Sequence, residues 1–153
     1  MQNSYSEIEA YCAKFYNGRR LLITPYTYVL TFTGLAAAAS ATQTLNIAAN
    51  ADFVLTNVHY HANIANAAQT VGNKTIALCR MLITDSGSNE QFSNAACDLE
   101  NYGTNAWMQN GLEYPRIVSG RSTLTIQLTN YDAAVTYNID LGFAGVLVRA
   151  FSD

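Results

Sequence analysis

Hydrophobic and polar residues alternate most regularly between residues 122 and 149, near the end of the chain. In each half of this stretch every second residue is apolar, and the residues between them are mostly neutral and polar. The apolar positions are Leu124, Ile126 and Leu128 in the first half and Tyr137, Ile139, Leu141 and Phe143 in the second. Because side chains of a strand point alternately to the two faces of a sheet, each half predicts a strand with one buried face. The short connection at 130–134 is of hairpin length, so we expect the two strands to pair with each other.

Similar alternation predicts further strands earlier in the chain. They cover residues 26–33, 43–48, 53–62 and 75–84, with short strands at 91–94 and 114–118. In the third of these strands the alternation places five residues on one face: Phe53, Leu55, Asn57, His59 and His61. The fourth strand is apolar on both faces, which is typical of a strand in the centre of a sheet or beneath another element.

One segment near the N-terminus has helical spacing instead. Ser6 and Glu9 form a capping-box pattern, and Gly18 supplies a stop. Between them the apolar residues are Ile8, Tyr11, Cys12 and Phe15. A helix of about three turns is marginal on its own. We expect it to dock on the domain's own sheets or on another subunit, the first being the commoner arrangement.

The spacing of the strands predicts the fold class. Strands about ten residues apart, separated by turn residues, are typical of a two-sheet all-β domain. Gly142 and Gly145 lie inside a strand pattern, which marks a bulge or a close approach of two backbones. We predict an N-terminal arm with a short helix over residues 1–24. An antiparallel, jelly-roll-like β-sandwich of about eight strands follows over residues 25–153.

Charge is scarce in this chain. Charged residues make up 12 % of it, about half the usual share, and none occurs from residue 21 to residue 51. Pro25, Gly34 and scattered threonines argue against a membrane span in that run. The net charge of −3 argues against a nucleic-acid partner. A surface so poor in charge repels other copies weakly, so we expect extensive subunit contact, with an ordinary secreted sandwich as the alternative.

The cysteines and the N-terminal residues indicate the cellular compartment in which the protein is made. Cys12, Cys79 and Cys97 are odd in number and widely spaced, which fits neither a full disulfide set nor a zinc site. The first residues lack the basic and apolar regions of a signal peptide. We therefore expect reduced thiols in a protein that is made in the cytoplasm.

His59 and His61 are the one arrangement that suggests chemistry. They are the only two histidines and lie two residues apart on a predicted strand, so they point the same way and can share a metal ion, as in cupins. A cupin continues with a glutamate and a later histidine, which this chain lacks. We therefore expect polar or interface histidines and no metal, with a cupin-like metalloprotein as an alternative. The turn at 85–89 lacks the ligand spacing of a cation loop and predicts a hairpin turn.

No sequence motif of an enzyme is present, since there is no nucleophile elbow and no phosphate-binding loop. We expect a protein that is not an enzyme and has no cofactor. A second alternative is a carbohydrate-binding sandwich, in which exposed rings would stack on sugars. The clustered candidates are Tyr102, Trp107 and Tyr114.

Several stretches together carry a resemblance to a known family. They are residues 42–55, 80–88, 92–95, 115–117, 122–130 and 141–146. In their succession of strands and turns they resemble the small jelly-roll accessory proteins of tailed-phage virions, which occur as decoration, collar or neck subunits. The resemblance implies a virion structural protein, present in several copies on the capsid or at the head–tail neck. Its implied partners are other copies of itself and the major capsid protein or the portal and connector proteins.

Contacts with such partners are expected at aromatic and basic residues outside the regular strands. Aromatic and arginine side chains contribute most to protein interfaces. The candidates are Tyr5, Tyr11, Tyr16, Arg19, Arg20 and Trp107. For Trp107 a place in the core is the other interpretation, and the N-terminal arm is expected to reach out and anchor the subunit.

Overall fold

The computed structural model describes residues 5–65, 74–104, 112 and 115–151. Within them, two short helices and ten strands form a two-layer sandwich. The elements are α1 (Tyr5–Phe15), β1 (Leu21–Leu35), β2 (Ser40–Asn46), β3 (Asp52–Ile64), β4 (Cys79–Asp85), β5 (Glu90–Gln91), β6 (Cys97–Asp98), α2 (Leu99–Tyr102), β7 (Gly103–Thr104), β8 (Arg116–Val118), β9 (Thr123–Asn130) and β10 (Tyr137–Ala150).

The strands form two sheets of five. Sheet A has the order β1-β10-β3, with β7 and β8 beyond β3, and sheet B has the order β2-β9-β4, with β5 and β6 beyond β4. All pairs are antiparallel except the short β3–β7 contact. The first strand thus pairs with the last, β2 with β9, β3 with β8 and β4 with β5. This nested pairing is that of a ribbon wound into a jelly roll, and the predicted fold class is confirmed.

The core lies between the two sheets and matches most of the predicted faces. The predicted apolar face of β9 and that of β10 are both buried. Leu45, Ile47, Met81 and Ile83 are buried with them, as the alternation in the earlier strands predicts. The predicted centre position of β4 is confirmed, because it lies between β9 and the short strands β5 and β6.

The predicted hairpin over residues 122–149 is wrong. β9 lies in sheet B and β10 in sheet A, so the connection between them crosses from one layer to the other. Each strand pairs on both sides with other strands and is central in its sheet. The alternation identified the buried faces correctly, but a period of two carries no information about which strand is the neighbour.

A buried asparagine holds the crossing between the sheets. Asn130 is fully buried, and its Nδ2 donates to the carbonyl oxygens of Leu35 at 3.1 Å and Val135 at 2.8 Å. Its Oδ1 accepts from the backbone N–H of Asp132 at 2.9 Å. The side chain therefore joins the end of β1 to both ends of the crossing loop, and its polar atoms are paired as burial requires.

β3 contains one extra residue opposite β10. Asn57 is opposite Ala144 and Leu55 is opposite Gly145, so Thr56 has no residue opposite it in β10 and forms a bulge. At Gly145 a Cβ atom would lie 1.9 Å from the carbonyl oxygen of Val54. The close backbone approach that Gly145 predicts is therefore confirmed, and only glycine fits there.

The bulge exchanges the two faces of β3. Phe53 and Leu55 point into the core before it, and Val58, Tyr60 and Ala62 point into the core after it. His59 and His61 therefore lie on the outer face of sheet A. The prediction that they share a face with Phe53 and Leu55 is wrong, because one extra residue shifts the alternation by one position.

We expect Gly145→Ala to lower the free energy of unfolding by on the order of 3 kcal/mol, because the new Cβ collides with backbone that cannot move without breaking the bulge. Gly142→Ala is the matched control in the same strand. Its Cβ would meet Thr27 and His59 at ordinary distances of 3.6 and 3.7 Å, so we expect a change within about 1 kcal/mol. Urea unfolding of both variants checks this, and equal losses would contradict the bulge.

The crossing loop makes stability depend on pH. The pKa of Asp132 is lowered by the backbone N–H of Ala134, then by the hydroxyl of Tyr137 and the N–H of Val135. A lowered pKa stabilises the fold above the carboxyl's unfolded pKa, and this stabilisation is lost as the pH falls through the folded pKa. Asp132→Asn should therefore be less stable than the parent protein at neutral pH, and the difference should shrink in acid. Urea unfolding of both proteins from neutral to acidic pH measures the difference in the free energy of unfolding. A difference that does not change with pH would contradict the stabilising role of the Asp132 carboxylate.

Candidate interaction surfaces

Helix α1 covers one end of the outer face of sheet A. Ile8 and Cys12 are buried against Val54, Val146 and Val148, which form a small second core outside the sandwich. Helix α1 is followed by the predicted stop at Gly18. This glycine has φ +74° and donates its N–H to the carbonyl of Ala13 in the last turn. The predicted docking on the domain's own sheet is confirmed. Ile8 and Cys12 of the helix's apolar stripe are buried, whereas Phe15 is 56 % exposed. The expectation that the arm anchors the subunit to a partner stays a prediction.

A carboxylate fastens the end of this helix to the sandwich. The hydroxyl of Tyr16 donates to Asp52 Oδ2, and the N–H of Gly120 donates to Asp52 Oδ1 at 2.8 Å. Burial, and then the hydrogen bond to Asp52, raises the pKa of the Tyr16 hydroxyl. Tyr16 is thus a structural residue of the helix–sheet contact, and its predicted contact with a partner stays a prediction.

The other predicted contact residues lie in different surroundings. Tyr5 is 59 % exposed, whereas Tyr11 packs beside the buried stripe of α1. Arg19 donates to the carbonyl of Phe151 at 3.1 Å, and the Arg20 guanidinium lies 5.4 Å from the centre of the Phe151 ring. The two arginines therefore hold Phe151, which directly follows β10, beside the start of β1. Their contact with a partner stays a prediction.

Only one of the predicted sugar-stacking residues lies in the described part of the chain. Tyr102 is half-buried, packs on the core and has its hydroxyl 3.2 Å from Ser93 Oγ. Trp107 and Tyr114 lie outside the described residues. A sugar-binding role for these rings stays a prediction.

The histidines lie on the outside of sheet A. His61 Nδ1 is 3.8 Å from Asp140 Oδ2, and both side chains are about half exposed. With Val29, the two histidines and Asp140 surround a shallow depression of about 230 Å³ above Gly142. Within the described residues no group of three or more histidine, cysteine or acidic side chains could hold a metal ion. Because both histidines point away from the core, they cannot be ligands of a metal ion held between the two sheets.

The acidic loop at 85–89 is a hairpin turn, as predicted. Asp85 is buried at the end of β4, which pairs with β5 directly after the turn. Its carboxylate accepts from the N–H of Gly87 at 2.8 Å and from the hydroxyl of Ser88 at 3.2 Å. These bonds within the turn occupy both oxygen atoms of the carboxylate.

The outer face of sheet B is neutral over two adjacent strands. These strands are β2 and β9, which pair from Ser40 opposite Thr129 to Asn46 opposite Thr123. The residues that point outward are Ser40, Thr42, Thr44 and Asn46 on β2 and Thr123, Thr125, Gln127 and Thr129 on β9. Charge appears again only on the next strand, where Arg80 pairs with Asp98 at 3.5 Å. The neutral row of β9 therefore continues onto β2, and not onto β10 as the predicted hairpin required.

The two edge strands on one side of the sandwich carry no charged residue, and this is the uncharged side. β1 and β2 are the edge strands of the two sheets and follow each other in the chain, and both fall within the uncharged residues 21–51. Three large apolar side chains of β1 are exposed. Leu22 is 46 % and Tyr26 47 % exposed, and Val29, which points to the outer face of sheet A beside Asp140, is 64 % exposed. The uncharged run was visible in the sequence, but its position along the edge strands of both sheets was not.

No protein-family model, curated protein or solved structure matches the chain. No helix in the described part of the chain has the length and apolar character needed to cross a membrane. The surfaces described above are therefore the basis for any conclusion about function.

We expect Tyr16→Phe to expose Cys12 to thiol reagents more often. Cys12 lies on the face of α1 that packs on sheet A and is fully buried there. Burial raises the pKa of its thiol, so it reacts only when the helix undocks. Loss of the bond to Asp52 should speed its labelling roughly fivefold. Cys79, buried between the sheets, is the internal control and should not change. Peptide mass spectrometry over time separates the two sites, and equal acceleration at both would contradict local undocking.

Proposed function

We propose that this chain is a non-enzymatic structural protein of a tailed-phage virion, a jelly-roll subunit bound in several copies to the capsid or to the head–tail neck. The observation that carries the proposal is the uncharged side formed by β1 and β2, with its exposed apolar residues. A large apolar and neutral surface on a small domain is typical of a protein that works in contact with others.

The arrangement of the acidic residues also supports a structural role. Asp52, Asp85 and Asp132 each accept hydrogen bonds from backbone N–H groups or hydroxyls that hold a loop, a turn or the terminal helix in place. These three carboxylates are thus occupied by the fold. The jelly-roll topology is compatible with the proposal but does not carry it, because one fold serves many functions.

The chemistry of the surface indicates how such a subunit would bind. Contacts between neutral threonine, asparagine and tyrosine side chains depend on buried area and shape, with little contribution from ion pairs. The partners would be other copies of the chain and the major capsid protein or the portal and connector proteins. Binding of this kind should tolerate salt, because there is little charge for the salt to screen.

The test is a density gradient of particles from a phage whose genome encodes the chain, probed with an antibody raised against the purified protein. We expect the chain to sediment with the particles in about 0.1 M salt and equally in about 1 M salt. Antibody labelling in electron micrographs then distinguishes the capsid surface from the neck. Recovery of the chain only in particle-free fractions would overturn the proposed function, and release by salt would overturn the neutral mode of contact.

A further inference from the structure

The two edge strands on the uncharged side differ in how they are protected. An edge strand presents unpaired N–H and C=O groups, and proteins usually block such an edge with proline, charge, a bulge or a covering side chain. β1 and β2 are both edges, they are adjacent in sequence, and neither carries a charged residue. The direction of their backbone groups decides which edge is open.

The edge of β1 is blocked. The carbonyl of Arg20 accepts from the N–H of Phe151, so even-numbered residues bond toward β10 and odd-numbered residues face outward. Pro25 is one of the outward residues and has no N–H to offer. The outward carbonyl of Thr31 already accepts from Gln43 Nε2 at 2.6 Å. A register shift after Phe32 interrupts the rest of the strand.

The edge of β2 has none of these protections. The carbonyl of Ala39 accepts from the N–H of Asn130, and the N–H of Ile47 donates to Ser122, so odd-numbered residues bond toward β9. The residues whose backbone groups face outward are Ser40, Thr42, Thr44 and Asn46. The strand has no proline, no charge and no register shift, and among the described strands none pairs with its outer side.

We propose that this open edge pairs with β2 of a second copy of the chain. The two strands run antiparallel about a twofold axis at Gln43, so that two copies of sheet B become one continuous sheet. In this register all four outward residues of each strand bond to the other copy, with about eight backbone hydrogen bonds in total. The inference rests on the proposed function as a subunit that assembles in copies, and it names the surface of self-contact.

Two observations favour a second copy over a different partner. When two identical edges are neutral, their contact meets no charge repulsion in any register, and residues 21–51 carry no charge. The outward residues of β2 are also nearly symmetric about Gln43. Antiparallel self-pairing places Thr42 opposite Thr44 of the second copy, and threonine pairs across strands are favourable.

Charge substitutions test both the pairing and its register. In Thr42→Lys/Thr44→Lys each new lysine faces a lysine of the other copy, whereas in Thr42→Lys/Thr44→Glu each lysine faces a glutamate. Analytical ultracentrifugation of the full chain should show the dimer Kd raised at least about tenfold in the first variant and within about threefold of the parent in the second. The control is Thr125→Lys/Gln127→Lys, which adds the same charge to the same face of sheet B on the central strand β9. Its Kd should stay within about threefold of the parent.

Loss of the dimer must be distinguished from loss of the fold. Circular dichroism and thermal unfolding therefore check that each variant is folded. Thr44→Pro offers a second route, because it removes only an N–H that faces away from β9, and it should also weaken the dimer. A parent protein that is monomeric at all concentrations, an unchanged Kd in the double-lysine variant, or equal weakening in the lysine–glutamate variant would each overturn the proposed pairing.

The gradient experiment separates this inference from the proposed function. A parent chain that sediments with particles but stays monomeric in solution overturns the pairing and leaves the virion role. A chain that dimerises through β2 but never sediments with particles overturns the virion role and leaves the pairing.

Discussion

The contact between Gly145 and the carbonyl of Val54 is the constraint on which the arrangement of sheet A depends. Because residue 145 has no side chain, β10 can approach β3 closely enough for Thr56 to bulge out of register. That single extra residue moves the second half of β3 by one position in its alternation. Val58 and Tyr60 then face the core, and the two histidines face outward. The same bulge therefore decides both the packing of the sandwich and the location of the chain's only histidines.

The crossing between the sheets is the second requirement of the fold. Asn130 satisfies backbone groups at the end of β1 and in the loop that leads into β10, so it joins strands of both layers at one point. With β9 and β10 placed at the centres of different sheets, the first two strands of the chain are left as the edges. The topology thus determines which residues lie at these two edges of the sheets, and they come from the part of the chain that carries no charge.

A neutral surface of this kind suits assembly in many copies. Each contact between threonine-rich strands is weak on its own, since it has no strong ion pair and only a few apolar side chains. In the proposed assembly on a particle, the effective concentration of neighbours would be high and weak contacts would act together. The protected edge of β1 and the open edge of β2 would then limit pairing to one strand, which prevents uncontrolled aggregation along the whole uncharged side.

The sequence by itself determined the all-β class, the short N-terminal helix with its stop at Gly18, and the buried faces of β9 and β10, because these depend on local spacing and on the conformational freedom of single residues. It also showed the uncharged run and the glycine that marks a close approach. Only the tertiary structure decided that β9 and β10 belong to different sheets, that Thr56 exchanges the faces of β3, and that β2 has an open edge. Strand partners, register and edges are contacts between residues far apart in the chain, and an alternation with a period of two is the same whichever strands become neighbours.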